Sequence, residues 1–459
     1  MSAASACSAI DHDAGLGTLR ELLRQPSVSA DGEGVAACAR LVARILERYG
    51  FAAEVLETGG HPAVLGELGA GAATLLLYAH YDVQPVGDER EWTTPPFEPT
   101  LRDDRLYARG AVDDKGHIAS RLAAIAAFTA THGPPPFRIV FLIEGEEEIG
   151  SPSLPALLRR HAPRLRADGC IWESGELDLD DRPVITLGLR GMVDVELAVD
   201  VMGADAHSGE YSFLPNAAWR LVWALATLKG PDERILIDGF YDTVRAPTER
   251  QLALLADAPF DAAAARRAFG ATELAGGRAG VAVRRAVFSP TCTINGLTAG
   301  HQGHGPKAIL PAAGRAKLEF RLVPDQTPER VVEQLRRHLD ARGFGDVALA
   351  AGAGTRPAVV NPDDPFVGLV VDAARDVYGS PVVVQPLAGG SGPLEPFISE
   401  LGIPVVDGVG LAYPGCRAHA PDEHLRLEQW DLATRHMTRV LERFAQQCTD
   451  IATAGDAHA

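Results

Sequence analysis

The sequence predicts an α/β protein: a domain on a mixed, largely parallel sheet, interrupted by an inserted α+β domain. Three observations predict it. Apolar runs of strand length at 74–78, 139–143 and about 169–172 show no alternation, and helical stretches separate them. Such runs are buried on both faces, as in the middle of a parallel sheet. After Leu189-Arg190-Gly191 the pattern becomes alternating over 192–201, as in a sheet with one face in water. At about 355 the buried pattern returns. The domains are therefore expected at 1–189 with 355–459, and at 190–354.

Residues 14–26 and 34–49 read as amphipathic helices, the second stopped by Gly50. Short strands follow at 51–57 and 62–67. The buried strand 74–78 runs into Ala79-His80-Tyr81-Asp82. A polar, Pro-rich loop over 83–108 leads to Arg109-Gly110-Ala111-Val112-Asp113-Asp114-Lys115-Gly116, then to an Ala-rich helix ending near 131. Strand 138–143 ends in four acids, Glu144, Glu146, Glu147 and Glu148. Ser151-Pro152 reads as the N-cap and first position of a helix over 151–161. The third buried strand ends at Trp172-Glu173-Ser174. Within the insert, helix 216–229 precedes an irregular stretch, 231–288. A second alternating strand, 316–323, comes before the amphipathic helix 327–342. The last part brings helix 364–378, strand 381–385, a glycine turn at 389–392, strand 403–406, a loop with His419 and helix 427–446. An alternating strand such as 192–201 leaves the insert's sheet with an edge, and an exposed edge invites pairing with another chain.

A chain of 459 residues has room for two or three domains. Hydrophobic residues at 46% and charged residues at 23% are ordinary for a soluble globular protein. The balance of 43 basic against 61 acidic residues gives −18, which argues against nucleic acid and anionic membrane as partners. An anionic substrate therefore needs a local basic group. The six cysteines are scattered without a CxxC pair, and the first 15 residues hold neither a basic residue nor an apolar core. A reducing cytoplasm is the expected location, without a targeting signal. No apolar run approaches the ~18 residues of a membrane span.

The strand ends carry the chemistry. In open α/β sheets ligands bind at the carboxyl ends of the strands. Carboxylates packed there raise each other's pKa, and a cation is the simplest group that would hold them. Strand ends and following loops supply His80 and Asp82, Asp113 and Asp114, Glu147 and Glu148, and Glu173; a late loop supplies His419. A nitrogen and oxygen set without thiolate suits Zn²⁺, Mn²⁺ or Co²⁺ better than Ca²⁺. Two histidines and three carboxylates are too many for one tetrahedral catalytic zinc that keeps a water. They match two metals that share a bridging carboxylate, the hydrolytic arrangement of aminopeptidases.

His80-x-Asp82, Gly110-x-x-Asp113-Asp114-Lys115-Gly116, Glu144-Gly145-x-Glu147-Glu148-x-Gly150-Ser151, Leu189-Arg190-Gly191 and Ala418-His419 together resemble the co-catalytic zinc exopeptidase family. That family includes carnosine dipeptidases, aminoacylases, carboxypeptidase G, acetylornithine deacetylase and succinyl-diaminopimelate desuccinylase. The resemblance runs over nearly the whole chain in order. It implies two divalent ions, most often zinc, with His80 and His419 one on each and Asp113 between them, next to a cis peptide bond. It implies Glu148 and Glu173 as terminal ligands, Glu147 as general base, and Asp82 as the group that orients His80. In the insert, Asp205-Ala206-His207-Ser208-Gly209 resembles a lid motif whose histidine crosses from a partner subunit to stabilise the oxyanion. Arg321, in Phe320-Arg321-Leu322-Val323-Pro324, resembles the arginine that holds the substrate carboxylate, and the glycine turn with Gly390 resembles a substrate-contacting loop.

Two branches stay open. The long segment from 235 onward resembles the enlarged lid of the dipeptidases. Glu173 matches aminoacylases and carboxypeptidase G, where dipeptidases have Asp, and Ala308 stands where dipeptidases carry a hydroxyl. The expected activity is metal-dependent hydrolysis of dipeptides or small peptides with a free carboxylate; the alternative is deacylation of N-acyl amino acids. The expected assembly is a homodimer through the insert.

Overall fold

In the computed structural model, which describes residues 5–257, 262–275, 284 and 286–456, the strand Thr74–His80 is buried along its whole length. It lies inside a six-stranded sheet of β1 (Ala52–Leu56), β2 (Ala63–Leu68), β3 (Thr74–His80), β4 (Arg138–Glu144), β5 (Gly169–Ile171) and the short strand Val405–Val406. The order is β1-β2-β4-β3-β5 and then Val405–Val406. The last four strands of that order run parallel, and β1 and β2 are antiparallel to their neighbours. His80 pairs in register with Glu144, so β3 and β4 end at one level. The loops that follow therefore open side by side.

The sheet belongs to a unit made of Met1–Gly188, Val360–Pro386 and Pro396–Ala459. Its C-terminal helix, Leu427–Asp456, packs on helices Lys115–His132 and Pro365–Tyr378. One reading of the acidic turn is corrected here. Ser151 does not cap a helix: it takes φ 49°, and its hydroxyl donates to Glu144 Oε1 at 2.9 Å. The helix begins at Leu154, after a one-turn 3₁₀ segment at Glu147–Ile149. The carboxylate of Glu144 outcompetes the backbone for the Ser151 hydroxyl because both are buried and need partners.

A second unit holds Leu189–Val359 and Leu387–Glu395, so the glycine turn groups with the insert rather than with the flanking chain. Its antiparallel sheet contains β6 (Gly191–Asp200), β7 (Thr291–Ala299), β8 (Ala313–Leu322) and β9 (Ala348–Thr355), in the order β7-β8-β6-β9. Alternate residues, Val193, Val195, Leu197 and Val199 on β6 and Ala316, Leu318, Phe320 and Leu322 on β8, point into one core. Leu221 of helix Ala217–Ala226 and Val331, Leu335 and Leu339 of helix Pro328–Ala341 complete it. β6 is thus central, and the sheet's edges are β7 and β9. On β7, Ile294 and Leu297 are each 50% exposed. The Arg/Ala/Gly-rich run of the enlarged lid falls partly on 276–283 and 285, outside the described residues.

Candidate metal centre

Asp113 stands between two histidines. Its Oδ1 lies 3.0 Å from His80 Nε2, and its Oδ2 lies 2.7 Å from His419 Nε2. Glu148 Oε2 lies 3.2 Å from the same His419 nitrogen. Asp113, Glu148 and His419 present ligand atoms that all lie within 4.8 Å of one another. The Asp113–Asp114 peptide bond is cis. Glu173 follows β5, the strand beside β3; it is buried, and its Oε2 has no hydrogen-bond partner among the described residues.

The titration pattern is that of a cation site lined by competing acids. Burial opposes charge on His80, yet its contacts to Asp113 and Asp82 outweigh this and hold its pKa well above the usual value. His419 is pushed up to about 10 by Asp113 and Glu148. Asp113 pays desolvation too, but the two imidazoles keep its carboxyl below the ordinary range. Burial raises Glu147 to about 8 and lifts Glu173 well above a normal carboxyl, with Glu147 adding to the latter. The acids thus favour positive charge at both rings, a charge that divalent ions held by His80, His419 and Asp113 would supply. An orphaned buried carboxylate oxygen, a carboxylate facing two imidazoles and an all-nitrogen-and-oxygen donor set fit two divalent ions.

The loops that carry these groups are tied by further side chains. Asp82 meets His80 Nδ1 through its carbonyl at 3.1 Å and through Oδ1 at 3.3 Å. A proton on Nδ1 leaves the Nε2 lone pair for a metal. The same Asp82 carboxylate accepts from the backbone N–H groups of Glu147 at 3.2 Å and Glu148 at 3.0 Å. Of the four acids at the end of β4 and in the turn after it, Glu144 and Glu146 build the turn. Glu144 accepts from Tyr78 and Ser151, Glu146 from the backbone of His61 and Ser153. Glu147 and Glu148 are left for the centre.

Three positioning residues were not legible as such. Gln84 donates from its backbone at 3.2 Å and its side chain at 2.8 Å to Glu148. Buried Arg121 donates to the carbonyls of Tyr78, Trp172 and Glu173, gathering the ends of β3 and β5. Glu423, fully buried, accepts from the N–H groups of Gly110, Val112 and Asp113 at 2.9–3.0 Å and from Arg109 Nη1 at 2.7 Å. It lies four residues after His419, so one carboxylate joins the loop of His419 to the loop of Asp113. The only sequence signal was an acid closely following a candidate ligand.

His207, Arg321 and Gly390 belong to the second unit. His207 is exposed on the short strand Ala206–His207, which pairs with Ile309–Leu310. Its Nδ1 accepts from the backbone of Gly209 at 3.2 Å and Glu210 at 3.4 Å, which puts the proton of the neutral ring on Nε2, facing outward as a donor. Arg321 is half-buried on β8; it donates to Ser391 Oγ at 2.9 Å and to Glu319. Gly390 accepts from Arg190 N at 3.0 Å, and it is Ser391, the next residue, that touches Arg321.

Known proteins share this arrangement of chain. The human Beta-Ala-His dipeptidase is 30% identical over 329 residues, 70% of this chain and 65% of that protein. The Cys-Gly metallodipeptidase dug1 of Schizosaccharomyces pombe is 30% identical over 333 residues, 68% of this chain and 70% of its own. With 63% and 64% of the rat and mouse dipeptidases matched, the chain spans just under two thirds of its mammalian relatives. Among solved structures, the M20 family metallo-carboxypeptidase Sso-CP2 from Sulfolobus solfataricus superposes with a TM-score of 0.87 at 36% identity, covering 94% of this chain and 99% of that one. Human carnosine dipeptidase 1 gives 0.74 at 26% identity, with 96% and 99% covered. Residues 76–443 hold most of β3, the loops with Asp113 and with Glu147 and Glu148, the whole insert and His419, and they match Peptidase family M20/M25/M40, to which this chain belongs.

Proposed function

We propose that this chain is a two-metal peptidase that hydrolyses the amide bond of dipeptides and small peptides ending in a free carboxylate. The observation that carries the reading is Asp113, one oxygen toward each of two histidines, with Glu147 next to Glu148 on the adjoining turn. Two divalent ions, zinc first and Mn²⁺ or Co²⁺ also suited by the donor set, held by His80, Asp113, Glu148, Glu173 and His419, would polarise the scissile carbonyl and supply an activated water. Glu147 takes a proton from that water and returns it to the departing amine. Burial raises its carboxyl above the ordinary range, which strengthens it as a proton acceptor once ionised. Arg321, with Ser391 and the backbone around Gly390, receives the substrate carboxylate. His207 Nε2–H donates to the oxygen that gains charge as the carbonyl is attacked, a contact worth most in the transition state.

Residues 190–354 serve as lid and dimerisation domain. Support comes from edge strand β7 with Ile294 and Leu297, and from helix Ala217–Ala226, where Trp219 and Trp223 stack at 5.7 Å while 57% and 54% exposed. An open edge and exposed aromatics are features suited to pairing with a second copy. Each lid would lend His207 to the other subunit. All six cysteines are free thiols, which supports a reducing cytoplasm. No helix among the described residues is long and apolar enough to cross a membrane.

The dipeptidase names of the curated relatives favour peptides over N-acyl amino acids. A panel of dipeptides against N-acetyl amino acids, run on metal-loaded protein, decides the matter. Turnover of dipeptides with little of the acetylated set is expected; the reverse ratio would make the chain a deacylase.

A further inference from the structure

We infer that Glu319 makes the carboxylate-binding position of Arg321 selective for substrates whose terminal residue carries a positive side chain. The inference rests on the reading that Arg321 receives the substrate carboxylate. On β8 the residues Ala316, Leu318, Phe320 and Leu322 face the core, so Glu319 and Arg321 share the opposite face. There they form a two-point ion pair. Arg321 Nε donates to Glu319 Oε1 at 2.8 Å and Nη2 to Oε2 at 3.0 Å. Nη1 donates to Ser391 Oγ at 2.9 Å. Both side chains are shielded, at 25% and 22% exposure.

A guanidinium has five N–H groups. Three are used, and one on each terminal nitrogen has no acceptor among the described residues. These two can still grip a carboxylate end-on. The charge, however, is already matched. Arg190, a buried cation, turns its terminal nitrogens to the carbonyls of Ala286, Ser289 and Arg321 and to the Thr291 hydroxyl, and its Nε has no partner among the described residues. Across the sheet from Glu319 stands another acid, Asp194, in register on β6. A substrate that brings only a carboxylate therefore sets a second negative charge beside Glu319. A lysine or arginine at the substrate's terminal position brings its own cation to within reach of Glu319 and removes that repulsion. Acidic terminal residues are disfavoured most.

The test uses full-length, metal-loaded protein and the substrates Ala-Lys, Ala-Arg, Ala-Leu and Ala-Glu. Wild type should prefer the basic pair over Ala-Leu by roughly fivefold in KM, the size of one partly shielded ion pair, with Ala-Glu poorest. Glu319→Gln should lower KM for Ala-Leu and Ala-Glu and raise it for Ala-Lys. An equal Ala-Lys to Ala-Leu ratio in wild type and Glu319→Gln overturns the inference. Arg321→Ala separates the two layers: unchanged KM for every dipeptide removes the carboxylate assignment itself, and the inference with it. Calorimetric titration with free L-lysine and L-leucine needs no turnover. Tighter lysine binding by wild type, equalised in Glu319→Gln, supports the inference even where no dipeptide is cleaved; equal binding by wild type overturns it.

Discussion

One carboxylate facing two imidazoles concentrates the site's function on a few atoms, so single substitutions should separate its roles. Glu147→Gln keeps size and hydrogen bonding but cannot take a proton. It should retain both metals and KM and lose about 10²–10⁴-fold in kcat. If metal content falls instead, and Glu148→Gln keeps it, the two neighbours have exchanged roles. Glu423→Gln puts an amide N–H among four N–H donors and loosens the Asp113 loop. Metal affinity should drop about 10–100-fold, read by titration with a metal-sensitive dye, while His61→Ala leaves it unchanged. Unaltered affinity in Glu423→Gln would mean that the Asp113 loop holds itself. Legibility at this scale followed chemistry. His80, Asp113, Glu148 and His419 were readable because they are donors at strand ends or in loops, and the structure brings these four together. Gln84, Arg121 and Ser391 were not, because they act through contacts between segments far apart in sequence. Asp82 was read for one task and has two, since the backbone of Glu147 and Glu148 becomes its partner only after β3 and β4 pair.

Whole elements were easier to read than their ends. The strands β3 and β4 followed from unbroken apolar runs, and the insert's β6 and β8 from alternation. Position within a sheet did not follow: alternation says that one face is wet, and is silent on whether both edges are paired, so β6 is central. The helix start after the acidic turn was misplaced because a buried carboxylate, invisible to local propensity, claimed Ser151. One element offers a test by pH. His436, on helix Leu427–Asp456, is fully buried; its Nε2 donates to Val370 O at 3.1 Å on helix Pro365–Tyr378, and burial lowers its pKa to about 4. The unfolded chain then binds a proton that the folded one refuses. Stability should fall as pH drops from the ordinary histidine range toward about 4, by up to about 3 kcal/mol. Urea unfolding across that range should show the slope in wild type and a flatter one in His436→Gln. Equal slopes would place the acid sensitivity elsewhere.

At the scale of the molecule, two units with separate cores should respond differently to metal. Ions at a hundred times their dissociation constant stabilise a folded site by about 2.7 kcal/mol. Chelation should therefore lower one calorimetric transition, that of the unit with β1–β5, and leave the other in place; a common shift would show that the units melt as one. The shared-site assembly has its own test. His207→Ala and Glu147→Gln should each be inactive alone. Refolded together, half the dimers are mixed and one of their two sites is intact, so about a quarter of wild-type activity should return. Inactive mixtures with verified mixed dimers would confine His207 to its own chain.

The order of these parts along the chain has a consequence for synthesis. His80, Asp113, Glu148 and Glu173 all precede the second unit, and His419 follows it. At roughly 5–20 residues per second, a ribosome delivers His419 on the order of tens of seconds after Glu173. During that interval β1 to β5 can pair, yet Asp113 has one imidazole in place of two, and Glu423 is absent from its loop. An ion arriving then would find only part of the proposed ligand set. On the proposed reading, stable loading would wait for the last segment, and a chain released from inside the insert would lack both His419 and Glu423.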